Sequence, residues 1–129
     1  MVDLYSKHRL KRDKQLTQEL ESVLQVRCFS ECRHIHKLHC WHTCNEGKRS
    51  IQSAVRQKAG GLLSGVSDLL ILRNGVLGAF ELKRWGGRLS DPQKLYLNRV
   101  IEEGGLGYVC YGFHSFKEAL SHYLLATKK

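Results

Sequence analysis

The segment from Val66 to Lys83 constrains the fold of this chain more than any other. Two runs rich in Leu, Ile, Val and Phe lie on either side of Asn74-Gly75. This dipeptide is typical of a β-hairpin with a two-residue type I′ turn. With Asn74 and Gly75 as the loop, Arg73 faces Val76, and the register of the two strands is fixed from there back to their open ends.

That register brings two acidic residues together at the open end of the hairpin. Asp68 faces Glu81, and their Cβ atoms are expected about 5 Å apart on one face of the sheet. Lys83 lies two residues beyond Glu81, so its side chain projects from the same face. The remaining positions of this face are apolar: Leu70, Leu72, Leu77 and Ala79.

The pairing of Asp68 with Glu81 has two chemical interpretations. Two carboxylates this close repel each other unless a proton or a cation lies between them. Mg²⁺ suits such a pair, because it takes one or two protein carboxylates and fills its shell with water and phosphate oxygens. The alternative is a plain ion cluster with Lys83 and Arg84. The partly apolar face and the basic composition favour a metal site.

Composition limits the class of protein. A chain of 129 residues is one domain, and 21 Lys and Arg against 12 Asp and Glu give a net charge of +9. This excess predicts a polyanionic partner, most often nucleic acid, or else an acidic membrane surface. No run resembles a signal peptide or a membrane span. The five cysteines are therefore expected as reduced thiols of an intracellular, cytoplasmic protein.

The N-terminal third is basic and then helical. Residues 1–14 form a basic arm, which either lies along a phosphate backbone or is a solvated terminus. Apolar residues at helical spacing predict a helix from about Leu16 to Cys32. Glu21 and Gln25 are four residues apart and share one face of that helix.

Residues 28–44 contain four cysteines and four histidines, which suggests zinc. The spacing argues against a single four-cysteine site. Cys40 and Cys44 on a strand would lie about 13 Å apart at about 3.3 Å per residue, whereas two thiolates on one zinc ion nearly touch. Buried thiols and exposed histidines are the favoured interpretation.

The remaining segments predict alternating helices and strands. A polar loop over 45–50 precedes a helix over 51–59. The loop from Arg84 to Arg88 is basic and carries Trp85, so it either clamps phosphates and stacks on a base or forms a surface turn.

Ser90 and Gln93 have the spacing of a capping box at the start of a helix that runs to about Glu103. Gln93 either closes this box or points at the two carboxylates. A strand over 108–113 follows and pairs in parallel with the second hairpin strand. A second capping box, Ser115 to Glu118, opens a last helix through about Ala126.

This order of elements resembles the PD-(D/E)XK nuclease superfamily and, more closely, the VRR-NUC family. The resemblance rests on four segments: Glu21–Gln25, Asn45–Arg49, Gly65–Asp68 with Glu81–Lys83, and Arg88–Gln93. It implies an α/β, restriction-endonuclease-like core, in which a mixed central β-sheet with the Asn-Gly hairpin is flanked by helices. Residues 15–129 would form a single VRR-NUC nuclease domain.

The resemblance also implies roles for individual residues. Asp68 and Glu81 would bind a divalent metal, Mg²⁺ with Mn²⁺ as a substitute, and the Leu82 carbonyl would be a further ligand. Lys83 would be the catalytic lysine. Glu21 would be the acid of the first helix that joins the metal shell. It is chosen over Glu19 because it lies four residues before Gln25. Gln93 would be the polar residue at the head of the helix after the Glu-Leu-Lys motif. Ser67 and Cys44 stand where relatives carry Pro, and neither change removes a ligand.

These residues predict a metal-dependent DNA endonuclease that hydrolyses phosphodiester bonds. Phosphate contacts are expected from the N-terminal arm and from five further cations: Arg84, Arg88, Lys94, Lys48 and Arg49. A homodimer acting on branched DNA such as a Holliday junction is implied by the resemblance. The alternatives are a non-catalytic or weakly nicking DNA-binding module of the same fold and a zinc-organised interaction protein.

Overall fold

The computed structural model describes residues 4–8, 21–43, 51–61, 63–84 and 86–129. Its elements in chain order are β1 (Ser6–His8), α1 (Glu21–Ser30) with a π-helical turn (Glu31–Ile35), β2 (His39–His42), α2 (Ile51–Ala59), β3 (Leu69–Arg73), β4 (Val76–Lys83), α3 (Asp91–Glu102), β5 (Leu106–Tyr111) and α4 (Phe113–Ala126). None of the helices in these ranges is long and apolar enough to cross a membrane.

The described strands form one mixed sheet in the order β1-β5-β4-β3-β2. β3 and β4 are the predicted antiparallel hairpin, with Arg73 opposite Val76. Asn74 and Gly75 have φ angles of 50° and 82°, the positive values that a type I′ turn requires. β4 and β5, which α3 connects in the sequence, pair in parallel, as the crossover rule predicts. The α/β fold class with a mixed central sheet is confirmed.

Helices cover both faces of this sheet and create two cores. The α1/α4 face is packed with aromatic rings, aliphatic side chains and thiols, among them Phe80, Leu82, Tyr108, Cys110, Phe116 and Tyr123. The α3 face contains Leu70, Ala79, Leu97, Val100, Val109 and Tyr111. Because side chains alternate along a strand, Glu81 and Lys83 belong to the α3 face together with Ala79.

The N-terminal segment differs from the prediction of a basic arm. Ser6–His8 form an edge strand parallel to β5, and Tyr5 is buried. The Leu4 N–H donates to Asn98 Oδ1 on α3 at 3.0 Å. This hydrogen bond and the parallel pairing hold the strand, and neither is visible in the local sequence. Residues 9–20, with the predicted start of the first helix, lie outside the described residues.

The predicted capping box at Ser115 is wrong. α4 already begins at Phe113, directly after Gly112. The amide of Phe116 donates to the Gly112 carbonyl at 3.0 Å. Ser115 is therefore inside the first turn and fully buried, so its hydroxyl is not at the helix end. β5 begins at Leu106 and ends at Tyr111, two residues earlier than predicted at each end.

Thiols of the cysteine- and histidine-rich segment lie in the α1/α4 core. Cys28, Cys32 and Cys40 are buried, and none of them is in a disulfide bond within the described residues. Burial raises the pKa of the Cys32 thiol. The four histidines of this segment are exposed. Within the described ranges no three His, Cys, Asp or Glu side chains gather as a metal site would require. Cys44 lies outside those ranges.

Candidate active site

The first carboxylate is fixed where the chain enters β3. Thr43 holds this point from β2: its Oγ1 donates to the Ser67 carbonyl at 2.8 Å, and its amide donates to the Asp68 carbonyl at 3.3 Å. The Asp68 side chain turns towards β4, where its Oδ2 accepts the Leu82 N–H at 2.8 Å. Asp68 is therefore held across the hairpin from Glu81, as the register predicts.

The second carboxylate is buried beside an ammonium group. Glu81 is 1% exposed. Its Oε1 accepts a hydrogen bond from Gln93 Nε2 at 2.9 Å and lies 3.9 Å from Lys83 Nζ. Its Oε2 is buried and finds no hydrogen-bond donor among the described residues. Burying an oxygen without a hydrogen-bond donor costs free energy. A cation or a proton at this atom would offset that cost.

Gln93 does both of the things that the sequence left as alternatives. Its Oε1 accepts the Ser90 N–H at 2.8 Å, and its own N–H donates to Ser90 Oγ at 3.3 Å. These two bonds form the capping box at the start of α3. The Nε2 group remains for Glu81. The helix cap and the orientation of the buried carboxylate are therefore achieved by one side chain.

Gly65 allows α3 to approach this closely. Its φ is +79°, and a Cβ there would lie 2.3 Å from the main-chain carbon and oxygen of Pro92. The loop before β3 thus packs its backbone directly on the first turn of α3. This contact places Gln93 above the carboxylate pair.

The two carboxylates perturb each other. Burial raises the pKa of Glu81 well above its ordinary value, the negative charge of Asp68 raises it further, and Lys83 opposes the shift. Burial also raises the pKa of Asp68, while the Leu82 N–H lowers it. Two buried carboxyl groups in direct contact cannot both be charged at low cost. The pair therefore favours a shared proton or a bound cation.

Glu21 reaches the edge of this site from the first turn of α1. Its Oε1 lies 3.5 Å from the Arg84 N–H, which donates to it. Its negative charge contributes to the raised pKa values of both Asp68 and Glu81. The three carboxylates do not form a compact three-ligand cluster in the described part of the chain. Glu19, the other candidate, lies outside that part.

The donor set fits a hard divalent cation. Asp68 and Glu81 supply carboxylate oxygens, and no donor in the described part of the chain reaches the buried Glu81 Oε2. The Leu82 backbone lies between them, with its amide already bound to Asp68. Oxygen ligands of this kind suit Mg²⁺, which completes its shell with water and phosphate oxygens.

Two of the cations predicted to contact phosphate share one pocket. Arg88 and Lys94 line one pocket of about 400 Å³. Arg84 directly follows the catalytic candidate Lys83. Lys48 and Arg49, and also Trp85, lie outside the described residues. Lys7 lines the same pocket as Arg88 and Lys94. The sequence assigned phosphate contacts to the N-terminal arm as a whole and did not single out Lys7, because only the strand pairing brings it here.

Comparison with known proteins identifies the family. The VRR-NUC domain model matches residues 7–114. A solved structure described as a VRR_NUC domain protein superposes with a TM-score of 0.68 at 17% identity, covering 83% of this chain and 89% of that one. No curated protein matches the chain. At this identity the structural likeness shows the fold, whereas the family model spans most of the sequence. The chain belongs to the VRR-NUC domain family, a nuclease-type family, and this membership is consistent with the PD-(D/E)XK superfamily.

Proposed function

We propose that this protein is a metal-dependent DNA endonuclease that hydrolyses phosphodiester bonds at the Asp68–Glu81 pair. The observation that carries the proposal is the buried Glu81 carboxylate. One of its oxygens has no hydrogen-bond donor within the described ranges, and Lys83 lies beside the other. A binding-only protein gains nothing from two buried carboxylates facing a phosphate. Raised carboxyl pKa values in such a position are typical of catalytic sites.

Asp68 and Glu81, with the Leu82 carbonyl and Glu21 as further candidates, would hold Mg²⁺ or Mn²⁺. When bound, such a cation polarises the scissile phosphate and makes water more acidic. Glu81 is kept in place by Gln93, and Asp68 by the Leu82 amide. Both carboxylates are therefore oriented before a ligand arrives, which reduces the cost of assembling the site.

Lys83 supplies the positive charge at the reacting group. Its Nζ lies 3.9 Å from Glu81 Oε1, and its side chain is 12% exposed. A largely buried ammonium interacts more strongly with a developing negative charge than an exposed one, because water screens it less. Lys83 stabilises the charge that develops on the phosphate or orients the attacking water.

Nearby cations position the nucleic acid. Arg84, Arg88 and Lys94 contact the phosphate backbone, and such contacts fix orientation without reading sequence. The net charge of +9 supports this role. Action on branched DNA and assembly as a homodimer rest on the resemblance to stand-alone members of the family, and Lys48 and Arg49 remain candidate phosphate contacts on the same basis.

The experiment compares cleavage of a labelled four-way junction and a linear duplex, in Mg²⁺ or in EDTA. Three proteins are used: wild type, Lys83→Ala, and Lys128→Ala, which removes an equal charge at the C-terminus. Wild type and Lys128→Ala should cut only with Mg²⁺, and Lys83→Ala should lose at least about 100-fold in rate while it still binds DNA.

The pattern of products decides the finer points. Paired cuts near the branch support a dimeric junction nuclease, and sedimentation of the free protein gives its oligomeric state. Equal nicking of the duplex keeps the nuclease and removes the branch preference. Binding without cleavage by wild type under any of these conditions would show that the protein is a DNA-binding module and not an enzyme.

A further inference from the structure

The pocket that Lys7 shares with Arg88 and Lys94 lies on the side of the sheet formed by β1 and β5. Its volume is about 400 Å³, and three cations line it from three separate elements: Lys7 on β1, Arg88 in the loop after β4, and Lys94 on α3. Leu89, Tyr111 and the Gly86-Gly87 backbone complete the wall. Among the described residues that line it, none is acidic.

The strand register places this pocket relative to the candidate metal site. Lys7 is aligned with Val109, and Val109 is aligned with Glu81. Two spacings between neighbouring strands put the backbones of Lys7 and Glu81 about 10 Å apart. Tyr111 is aligned with Lys83. The pocket therefore lies one strand beyond the catalytic lysine on the same face of the sheet.

We infer that this pocket is a phosphate subsite, which binds a backbone phosphate one or two nucleotides from the scissile bond. Neighbouring phosphates of one strand advance about 3.4 Å along the helix axis and also rotate around it. The backbone separation of about 10 Å between Lys7 and Glu81 is of the same order as the distance between phosphates one or two nucleotides apart. This inference rests on the proposed nuclease function. It adds a specific role for Lys7 and gives the edge strand β1 a place in substrate binding.

Lys7 is held in position by contacts remote from the pocket. The Leu4 N–H bond to Asn98 anchors the start of the segment. The neighbouring Tyr5 ring is buried in the α3-side core, and Lys7 Nζ lies 6.0 Å from the centre of that ring. β1 then aligns Lys7 with Val109. An exposed lysine on an anchored strand can direct its ammonium group to one place, which a lysine on a solvated arm cannot.

The loop after β4 keeps the pocket open next to Lys83. Its turn closes with the Gly87 N–H donating to the Arg84 carbonyl at 2.9 Å. A Cβ on Gly87 would lie 3.3 Å from Cβ and Cδ of Lys83. Gly87 thus packs closely against the aliphatic part of the Lys83 side chain, so the wall of the pocket is in contact with the catalytic lysine. A phosphate bound here would set the position of the strand relative to Lys83.

The chemistry of the lining favours phosphate over other ligands. Arg88 can offer two parallel N–H donors, and the two lysines act as point charges. Three cationic side chains from separate elements match the charge of a phosphate group better than that of a single carboxylate. The shared chemistry is a phosphoryl group of the DNA strand, either an internal phosphodiester or a terminal phosphate.

The first arm of the test measures binding and does not depend on cleavage. Affinity for a duplex in EDTA is measured over a range of salt concentrations for wild type, Lys7→Ala, Lys7→Arg and the control Lys128→Ala. Lys7→Ala should reduce the slope of log affinity against log salt by about 0.9. Lys7→Arg and Lys128→Ala should keep the wild-type slope, and all four proteins should unfold at similar temperatures.

The second arm locates the phosphate. Single neutral methylphosphonates are placed at each position flanking the mapped cut, and a matched pair of substrates carries a terminal phosphate or hydroxyl. Wild-type kcat/KM should fall about tenfold at one position, and Lys7→Ala should be insensitive there. Coupling at an internal position identifies a phosphodiester, and coupling only at the end identifies a terminal phosphate.

The outcomes separate this inference from the proposed function. Cleavage by wild type without coupling to Lys7 at any position overturns the phosphate subsite and leaves the nuclease intact. Absence of cleavage, with the salt slope reduced only in Lys7→Ala, overturns the nuclease and the placement beside a scissile bond, and keeps Lys7 as a phosphate contact. An unchanged slope in Lys7→Ala contradicts the subsite whether or not the DNA is cut.

Discussion

Adjacent residues of β4, Phe80 and Glu81, lie on opposite faces of the sheet in very different surroundings. On the α1/α4 face, Phe80 packs among Tyr108, Phe116 and Tyr123 at ring-centre distances of 4.9, 5.5 and 5.7 Å. The Tyr123 hydroxyl there donates to the Val76 carbonyl at 2.7 Å. On the α3 face, Glu81 is equally buried, yet none of the residues that the structure describes donates a hydrogen bond to one of its oxygens.

This difference separates stability from function. Burying an aromatic ring against other rings is favourable, and the polar tip of Tyr123 is satisfied. Burying a carboxylate beside another carboxylate costs free energy unless a cation or proton compensates. The α1/α4 face therefore stabilises the sheet, and the α3 face bears a cost at Glu81 that a metal ion would offset.

The largest expected effect comes from replacing two glycines by alanine, one packed against each face of the sheet. A Cβ on Gly78 would lie 2.5 Å from the Tyr123 ring, and a Cβ on Gly65 would lie 2.3 Å from the Pro92 backbone. Each Ala substitution should lower the free energy of unfolding by about 1–3 kcal/mol, as overpacking does. The positive φ of Gly65 adds about 1–2 kcal/mol of strain to its variant.

The two glycine variants should differ in activity. Gly65→Ala displaces the first turn of α3, and with it Gln93, so cleavage should fall by about 100-fold at a temperature where the protein is folded. Gly78→Ala is expected to cut DNA normally at that temperature. Urea denaturation and single-turnover cleavage measure both quantities. Equal activities would show that the approach of α3 does not position the site.

A smaller effect concerns the pH dependence that Glu81 imposes. The folded-state pKa of Glu81 is raised above its ordinary value of 4.5, so the folded protein holds a proton that the unfolded chain releases. Stability of the metal-free protein should therefore fall as the pH rises from about 4.5 towards the folded-state pKa. Glu81→Gln should remove this loss, because its amide can donate to Asp68.

Denaturation in EDTA at pH 5 and pH 8 measures the effect of Glu81→Gln. The variant should resemble wild type at pH 5 and be more stable by about 1–3 kcal/mol at pH 8, the cost of one unsatisfied buried group. Added Mg²⁺ should stabilise wild type at pH 8 and leave the variant unchanged. A wild type that gains stability between pH 5 and 8 relative to the variant would contradict the buried carboxylate pair.

The smallest effect separates the two bonds of Gln93. Gln93→Ala and Ser90→Ala both break the capping box, and each should cost about 1 kcal/mol of stability. Only Gln93→Ala also removes the donor to Glu81. It should therefore change the Mg²⁺ concentration needed for half-maximal cleavage, whereas Ser90→Ala should leave that concentration near the wild-type value.

Local patterns predicted a large part of the site. The register of the hairpin followed from Asn74-Gly75, because the turn type fixes which residues face each other. The helix start at Ser90 followed from the spacing of its capping residues. The start of α4 was misplaced because Ser115 and Glu118 imitate a capping box, while the helix packs by a face that begins at Phe113.

The sequence by itself determined the pairing of Asp68 with Glu81 and the side of the sheet on which Lys83 lies. Both depend on period-2 alternation from a known turn, which is a local property of the backbone. Tertiary structure alone decided that Gln93 contacts Glu81, that Glu21 approaches Arg84, and that Lys7 reaches the loop of Arg88. These contacts join residues far apart in the chain, and they depend on how helices and edge strands pack on the sheet. No local propensity encodes that packing.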